Sequence, residues 1–157
     1  MKSFKKYLEI IQESNLSSIY VDKKIDDFEG SVKLMSGSYR TYSSLTDAVE
    51  VAIAGESSSK EINLYSDEKV KFLFYKNNYF FVVNESFTGE DPENNIYFFI
   101  YKEKEKELYY NWAEHFHTQS DRIEEVINQS KIEFVNDEKT KIIRIIEKLK
   151  KITCYTS

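Results

Sequence analysis

The sequence predicts an α+β fold: an antiparallel β-meander of four to five strands flanked by N-terminal and C-terminal amphipathic helices. Three observations predict it. Apolar residues recur at helical spacing near both ends of the chain, and strand-like runs follow one another at hairpin distance through its middle. Between them, FLFYKNNYFFVV, residues 72 to 83, folds back on a two-residue turn. A chain of 157 residues has the size of one domain and buries roughly 70% of its unfolded surface. Residues 1–157 are therefore read as a single α+β domain.

Each element follows from its residues. In SFKKYLEIIQES, Phe4, Tyr7, Leu8 and Ile11 fall at i, i+3, i+4 and i+7 behind Ser3 as N-cap, which predicts a helix. SIYV, 18 to 21, reads as a short strand. SVKLM alternates like another, and SYRTY continues it after Gly37. In SSLTDAVEVAIAG, Leu45, Ala48, Val49, Ala52 and Ile53 share one helical face, Ser44 and Asp47 approximate a capping box, and Gly55 supplies a left-handed stop. Strands are predicted over 61–66, 69–76, 79–84, 95–101 and 107–114. TQSDRIEEVINQS is helical through Ile123, Val126 and Ile127, KIEFV reads as a brief strand, and NDEKTKIIRIIEKLKKI closes the chain as an amphipathic helix.

With the first turn at Asn77-Asn78, Tyr75 faces Phe80, Phe74 faces Phe81 and Phe72 faces Val83. One side of this hairpin then carries Val70, Phe72, Phe74, Phe81 and Val83, and the other Leu73, Tyr75, Phe80 and Val82. A second hairpin, turning about Lys104-Glu105, sets Tyr101 opposite Leu108, Phe99 opposite Tyr110 and Tyr97 opposite Trp112, with Ile96, Phe98, Ile100 and Tyr109 on the reverse. Both sides of the sheet are apolar, so both need cover. Helices on each side, a curl around a ligand or a partner chain would provide it; four amphipathic helices make the first the preferred answer.

Composition bounds the function. Hydrophobic residues make up 41% and charged residues 31%, which is too apolar for disorder. Aromatic content is 15%, with 12 Tyr and 11 Phe against 4 Gly and 1 Pro, and part of that bias matches AT-rich codons. No apolar run is long enough for a signal peptide or a membrane span, and Cys154 stands alone, which fits a reducing, cytoplasmic setting. The net charge of -5 disfavours direct nucleic-acid binding and favours solubility or a basic partner.

Catalytic signatures are weak. Four scattered glycines supply no phosphate loop, no Gly-x-Ser-x-Gly elbow exists, and Cys154 lies beside the end of the given sequence. No cofactor is expected and the chain is not read as an enzyme. His115 and His117 in WAEHFHTQSD allow a metal-dependent alternative with Glu114 and Asp121 nearby, but a His-x-His pair alone falls short of the three or four ligands a site needs. Lys141, Arg144, Lys148 and Lys151 form a basic stripe opposite Ile142, Ile145, Ile146, Leu149 and Ile152, as a solvated helix face would.

The most informative exposed stretch is ESFTGEDPENN, residues 85 to 95, with Glu85, Glu90, Asp91 and Glu93, no basic residue and one aromatic, Phe87. An aromatic anchor among carboxylates suits a basic protein surface, since the ring supplies buried area and the charges steer association. The expectation is a small acidic cytoplasmic protein that inhibits a basic or nucleic-acid-binding partner, as an immunity protein or an anti-defence inhibitor does. The alternative is a small-ligand or nucleotide domain with Tyr97, Phe99, Tyr101, Tyr110 and Trp112 lining an aromatic pocket. Nothing in the residues specifies the oligomeric state.

Overall fold

The computed structural model describes residues 19–35, 39–56, 69–84, 96–110 and 120–154. These form an α+β structure around one sheet of seven strands, β1 (Ile19–Lys24), β2 (Val32–Leu34), β3 (Thr41–Tyr42), β4 (Lys69–Tyr75), β5 (Asn78–Asn84), β6 (Ile96–Lys102) and β7 (Glu107–Tyr110). The helices are α1 (Leu45–Glu56), α2 (Ser120–Ser130) and α3 (Glu138–Cys154). The expected helix over residues 3–14 and the expected strand over 61–66 lie outside the described residues.

The predicted meander is present as four consecutive antiparallel strands, β4 to β7, but it is the middle of a larger sheet. The strand order is β1-β4-β5-β6-β7-β2-β3. β1 joins β4 antiparallel at one edge, while β2 joins β7 parallel at the other and pairs with the short β3. The chain thus passes from one edge of the meander to the other between Lys24 and Val32. Five strand spacings take about 24 Å, and eight residues reach at most about 28 Å, so this connector has little slack. It crosses one face of the sheet through a 3-10 turn at Ile25–Asp27, where the Lys24 N–H donates to the Asp27 carboxylate at 2.9 Å.

That crossing, with α1, covers the front face. Ile25 and Phe28 are buried with Leu45, Ala48, Val49, Ala52 and Ile53 against Phe72, Tyr79, Phe81, Val83, Tyr97, Phe99, Tyr101, Leu108 and Tyr110. Phe28 is the wedge, meeting Phe72, Tyr79 and Tyr101 edge-on at centroid distances of 5.3, 4.9 and 5.3 Å. On the back face α2 and α3 bury Ile123, Val126, Ile127, Ile142, Ile145, Ile146 and Leu149 against Leu73, Tyr75, Phe80, Val82, Phe98, Ile100 and Tyr109. Two apolar sides therefore have two covers, both from the chain itself.

The second hairpin keeps the predicted register: Tyr101 pairs with Leu108 and Phe99 with Tyr110. The first does not. Its turn residues are Lys76 and Asn77, both at positive φ (48° and 66°), and Phe72 pairs with Phe81, Leu73 with Phe80 and Phe74 with Tyr79. Moving the partner by two residues keeps every side chain on its predicted face, because the strand period is two. The observed register brings Phe72 within 4.8 Å of Phe81 and Phe74 within 4.9 Å of Tyr79, and it lets the Asn78 amide donate to the Lys76 carbonyl at 2.9 Å.

Helix starts and stops hold three further results. The Ser44 hydroxyl accepts from the Asp47 N–H at 3.1 Å, which caps α1 as expected. Gly55 is not the stop, since α1 continues to Glu56. KIEFV is not a strand: it is the connector from α2 to α3, opened by Lys131 at a φ of 57°. Lys131 supplies the left-handed residue that ends a helix, and its N–H returns to the Asn128 carbonyl at 3.2 Å. No helix among the described residues is long and apolar enough to cross a membrane.

Candidate functional site

The strands on either side of the acidic segment in sequence form the longest antiparallel pairing of the meander. β5 and β6 run together from Asn78 opposite Lys102 to Asn84 opposite Ile96. Residues 85–95 thus leave and return at directly paired positions, beside the buried Val83 and Tyr97. Glu85, Phe87, Glu90, Asp91 and Glu93 themselves lie outside the described residues.

Four members of the aromatic set come together on the front face. Tyr97, Phe99, Tyr101 and Tyr110 are all buried beneath α1 and the Phe28 crossing, while Trp112 lies outside the described residues. Phe99 stacks on Phe81 at 5.3 Å and tilts against Tyr110 at 5.8 Å. Tyr101 is 0% exposed, and its hydroxyl has no hydrogen-bond partner among the described residues. Burial, reinforced by the nearby Glu103 carboxylate and Tyr79, pushes the Tyr101 phenol up to about 12. Lys23 places its ammonium 4.2 Å from the Phe28 ring centre, so a cation overlies the outer side of the wedge.

His115 and His117 lie outside the described residues, and no group of three or more metal-ligating side chains occurs among the described ones. On α3 the apolar stripe Ile142, Ile145, Ile146 and Leu149 is spent in the back core. Arg144 and Lys148 are exposed, and Lys141 pairs with Asp137 at 3.7 Å. Lys102, at the end of β6, donates at 2.8 Å to the carbonyl of Ser130, where a cation complements the negative end of α2.

A groove that the sequence reading did not anticipate opens at the sheet end formed by the two tight hairpin turns. Lys76, Asn77, Asn78, Lys102, Lys104, Glu105, Ile132 and Glu133 line about 350 Å³. Three segments meet there: the β4–β5 turn, the β6–β7 turn and the α2–α3 connector. Lys102 also pairs with Glu105 at 3.5 Å, and the Lys76 ammonium reaches the Glu133 carbonyl at 3.4 Å. The one sequence signal for this site is the lysine-rich content of both turns, which reads as ordinary solvation until the fold brings them together.

Comparison with known proteins finds no match: no protein-family model, no curated protein and no solved structure is similar to the chain at a significant level.

Proposed function

We propose that this chain is a small acidic binding protein that occludes a basic surface of a partner protein, in the manner of an immunity protein or an anti-defence inhibitor. The observation that supports this most concerns the strands flanking the acidic segment: Asn84 and Ile96, which bracket residues 85–95 in sequence, are directly paired on a strand pair filled on both faces. A rigid base lowers the ordering cost of a recognition loop. Phe87 is the proposed anchor, and Glu85, Glu90, Asp91 and Glu93 stand in for the phosphates that a basic cleft would otherwise hold.

The experiment compares the natural chain with a variant carrying Phe87→Ala, Glu85→Gln, Glu90→Gln, Asp91→Asn and Glu93→Gln. Capture of a basic protein that is lost at high salt and lost in the variant, with the thermal transition unchanged, is the expected result. Equal capture by both retires the loop as the binding element.

A second reading, a small-ligand domain, draws on the buried Tyr101 hydroxyl in the middle of the aromatic set, which has no hydrogen-bond partner among the described residues. Titration of Trp112 fluorescence with a panel of metabolites and nucleotides separates the two. Saturable quenching favours the ligand reading, and a flat response leaves the inhibitor reading standing.

A further inference from the structure

The groove at the hairpin tips carries an unusual use of lysine. Among the described residues, six residues other than glycine have positive φ, and three of them are Lys76, Lys106 and Lys131, at 48°, 59° and 57°. That backbone region favours Gly and Asn, and a longer side chain there costs on the order of 1 kcal/mol. All three belong to the segments that frame this groove: one in the β4–β5 turn, one in the β6–β7 turn and one opening the α2–α3 connector. Asn77 and Asn136 hold positive φ in the same segments, and of the three lysines only Lys76 lines the groove, so it is this side chain whose strained position points to a need for its charge there.

The ammonium groups are also partly pre-positioned. Lys102 is tied to the Ser130 carbonyl at 2.8 Å and Lys76 to the Glu133 carbonyl at 3.4 Å, whereas Lys106, outside the lining, reaches the Glu29 carbonyl. A lysine ammonium has three donors, so each retains others. Lys104, which also lines the groove, makes no hydrogen bond or ion pair among the described residues. Among the described residues that line the groove there is no arginine to grip a planar carboxylate with a fork. Separate point donors from the two hairpin turns instead suit a compact, multi-oxygen anion. Asn77 and Asn78 also line it, the Asn78 amide being engaged with the Lys76 carbonyl, and Ile132 gives it an apolar element. Its volume is at the lower end of the range for small-molecule sites.

We propose that this groove, framed by Lys76, Lys102 and Lys104, binds the phosphoryl group of a phosphate ester. Glu105 and Glu133 oppose an anion there, and Glu105 competes directly for Lys102. They set a limit on affinity and give the proposal a second sign to test.

The test follows backbone amide shifts of the full chain by NMR during titration with inorganic phosphate, pyrophosphate, AMP and a short single-stranded oligonucleotide, each at fixed ionic strength. Shifts confined to residues 75–78, 102–106 and 130–133 are expected, and the probe that binds tightest identifies the source of the phosphoryl group. The double variant Lys76→Asn, Lys104→Gln should bind about tenfold more weakly or worse. Its thermal transition should be unchanged or higher, because Asn fits a left-handed turn position better than Lys. Glu105→Gln should bind more tightly. Equal binding by the double variant, or no tip shifts with any of the four probes at millimolar concentration, overturns the proposal. Neither result bears on the acidic loop, whose variant leaves these lysines intact.

Discussion

The Tyr75 hydroxyl, at the end of β4, donates a 2.7 Å hydrogen bond to the carboxylate of Glu138, the first residue of α3. The Val135 N–H approaches the same oxygen at 3.5 Å, and the Tyr75 ring stacks on Phe134 at 5.4 Å. One side chain therefore sets where the last helix begins on the back of the sheet. Tyr75→Phe should keep the stack and lose the charged hydrogen bond, at a cost of about 1.5 kcal/mol. A urea titration should show a lower midpoint with an unchanged slope.

Alkaline pH should weaken the fold through its buried phenols. Tyr101 is raised to about 12, and Tyr75, Tyr79 and Tyr109 are also raised, each chiefly by burial. A folded-state value above the ordinary 10.0 means that the native state holds its proton after the unfolded chain has released it. The stabilisation is complete below pH 10 and is lost as pH rises from there through the raised values. The thermal transition should fall above pH 10, and Tyr101→Phe should fall less steeply. At neutral pH that variant should be as stable as the natural chain or more so, because it removes a buried hydroxyl that has no partner among the described residues.

The hairpin turn can be located by mutation. With Lys76 and Asn77 as the turn residues, Asn77→Gly should be neutral or stabilising by a few tenths of a kcal/mol, since glycine accepts a φ of 66° freely. Asn78 instead pairs with Tyr75 and is 8% exposed, so Asn78→Gly should cost about 1 kcal/mol or more. A turn centred on Asn77-Asn78 would make both substitutions benign, and paired chemical denaturation curves distinguish the cases.

Core and surface of the two covers should respond very differently. Phe81, in contact with Phe72 and Phe99 on the front face, should lose about 3–5 kcal/mol as Phe81→Ala. On α3, Ile146→Ala should cost about 2–5 kcal/mol, whereas the exposed Arg144→Ala should stay within about 0.5 kcal/mol. Denaturation midpoints of the three variants check the burial pattern directly.

What could be read from the residues was what local periodicity carries. The faces of β4 to β7, the cap at Ser44 and the stripe on α3 follow from spacings of two and of three to four residues. The second hairpin's register followed from its charged middle, whereas the first was placed two residues away because Lys76 occupies a turn position that composition assigns to Asn. The parallel pairing of Lys33 with Glu107 and the sweep of Phe28 across the front face leave no local trace. The tip groove escaped notice for the same reason: its lining comes from three turns that are distant in sequence. The acidic loop and the histidine pair were visible as composition, a signal about surface chemistry rather than about geometry.

The placement of β1 and β2 on opposite flanks of the meander has a temporal side. Both are made before the strands they pair with, so Ile19 must wait for Phe74, and Lys33 for Glu107. β1 cannot be seated before β4 has been made, nor β2 before β7. The early segment therefore closes over a nearly finished structure, like a strap drawn across a filled case, and its fastening should set the slowest phase of refolding.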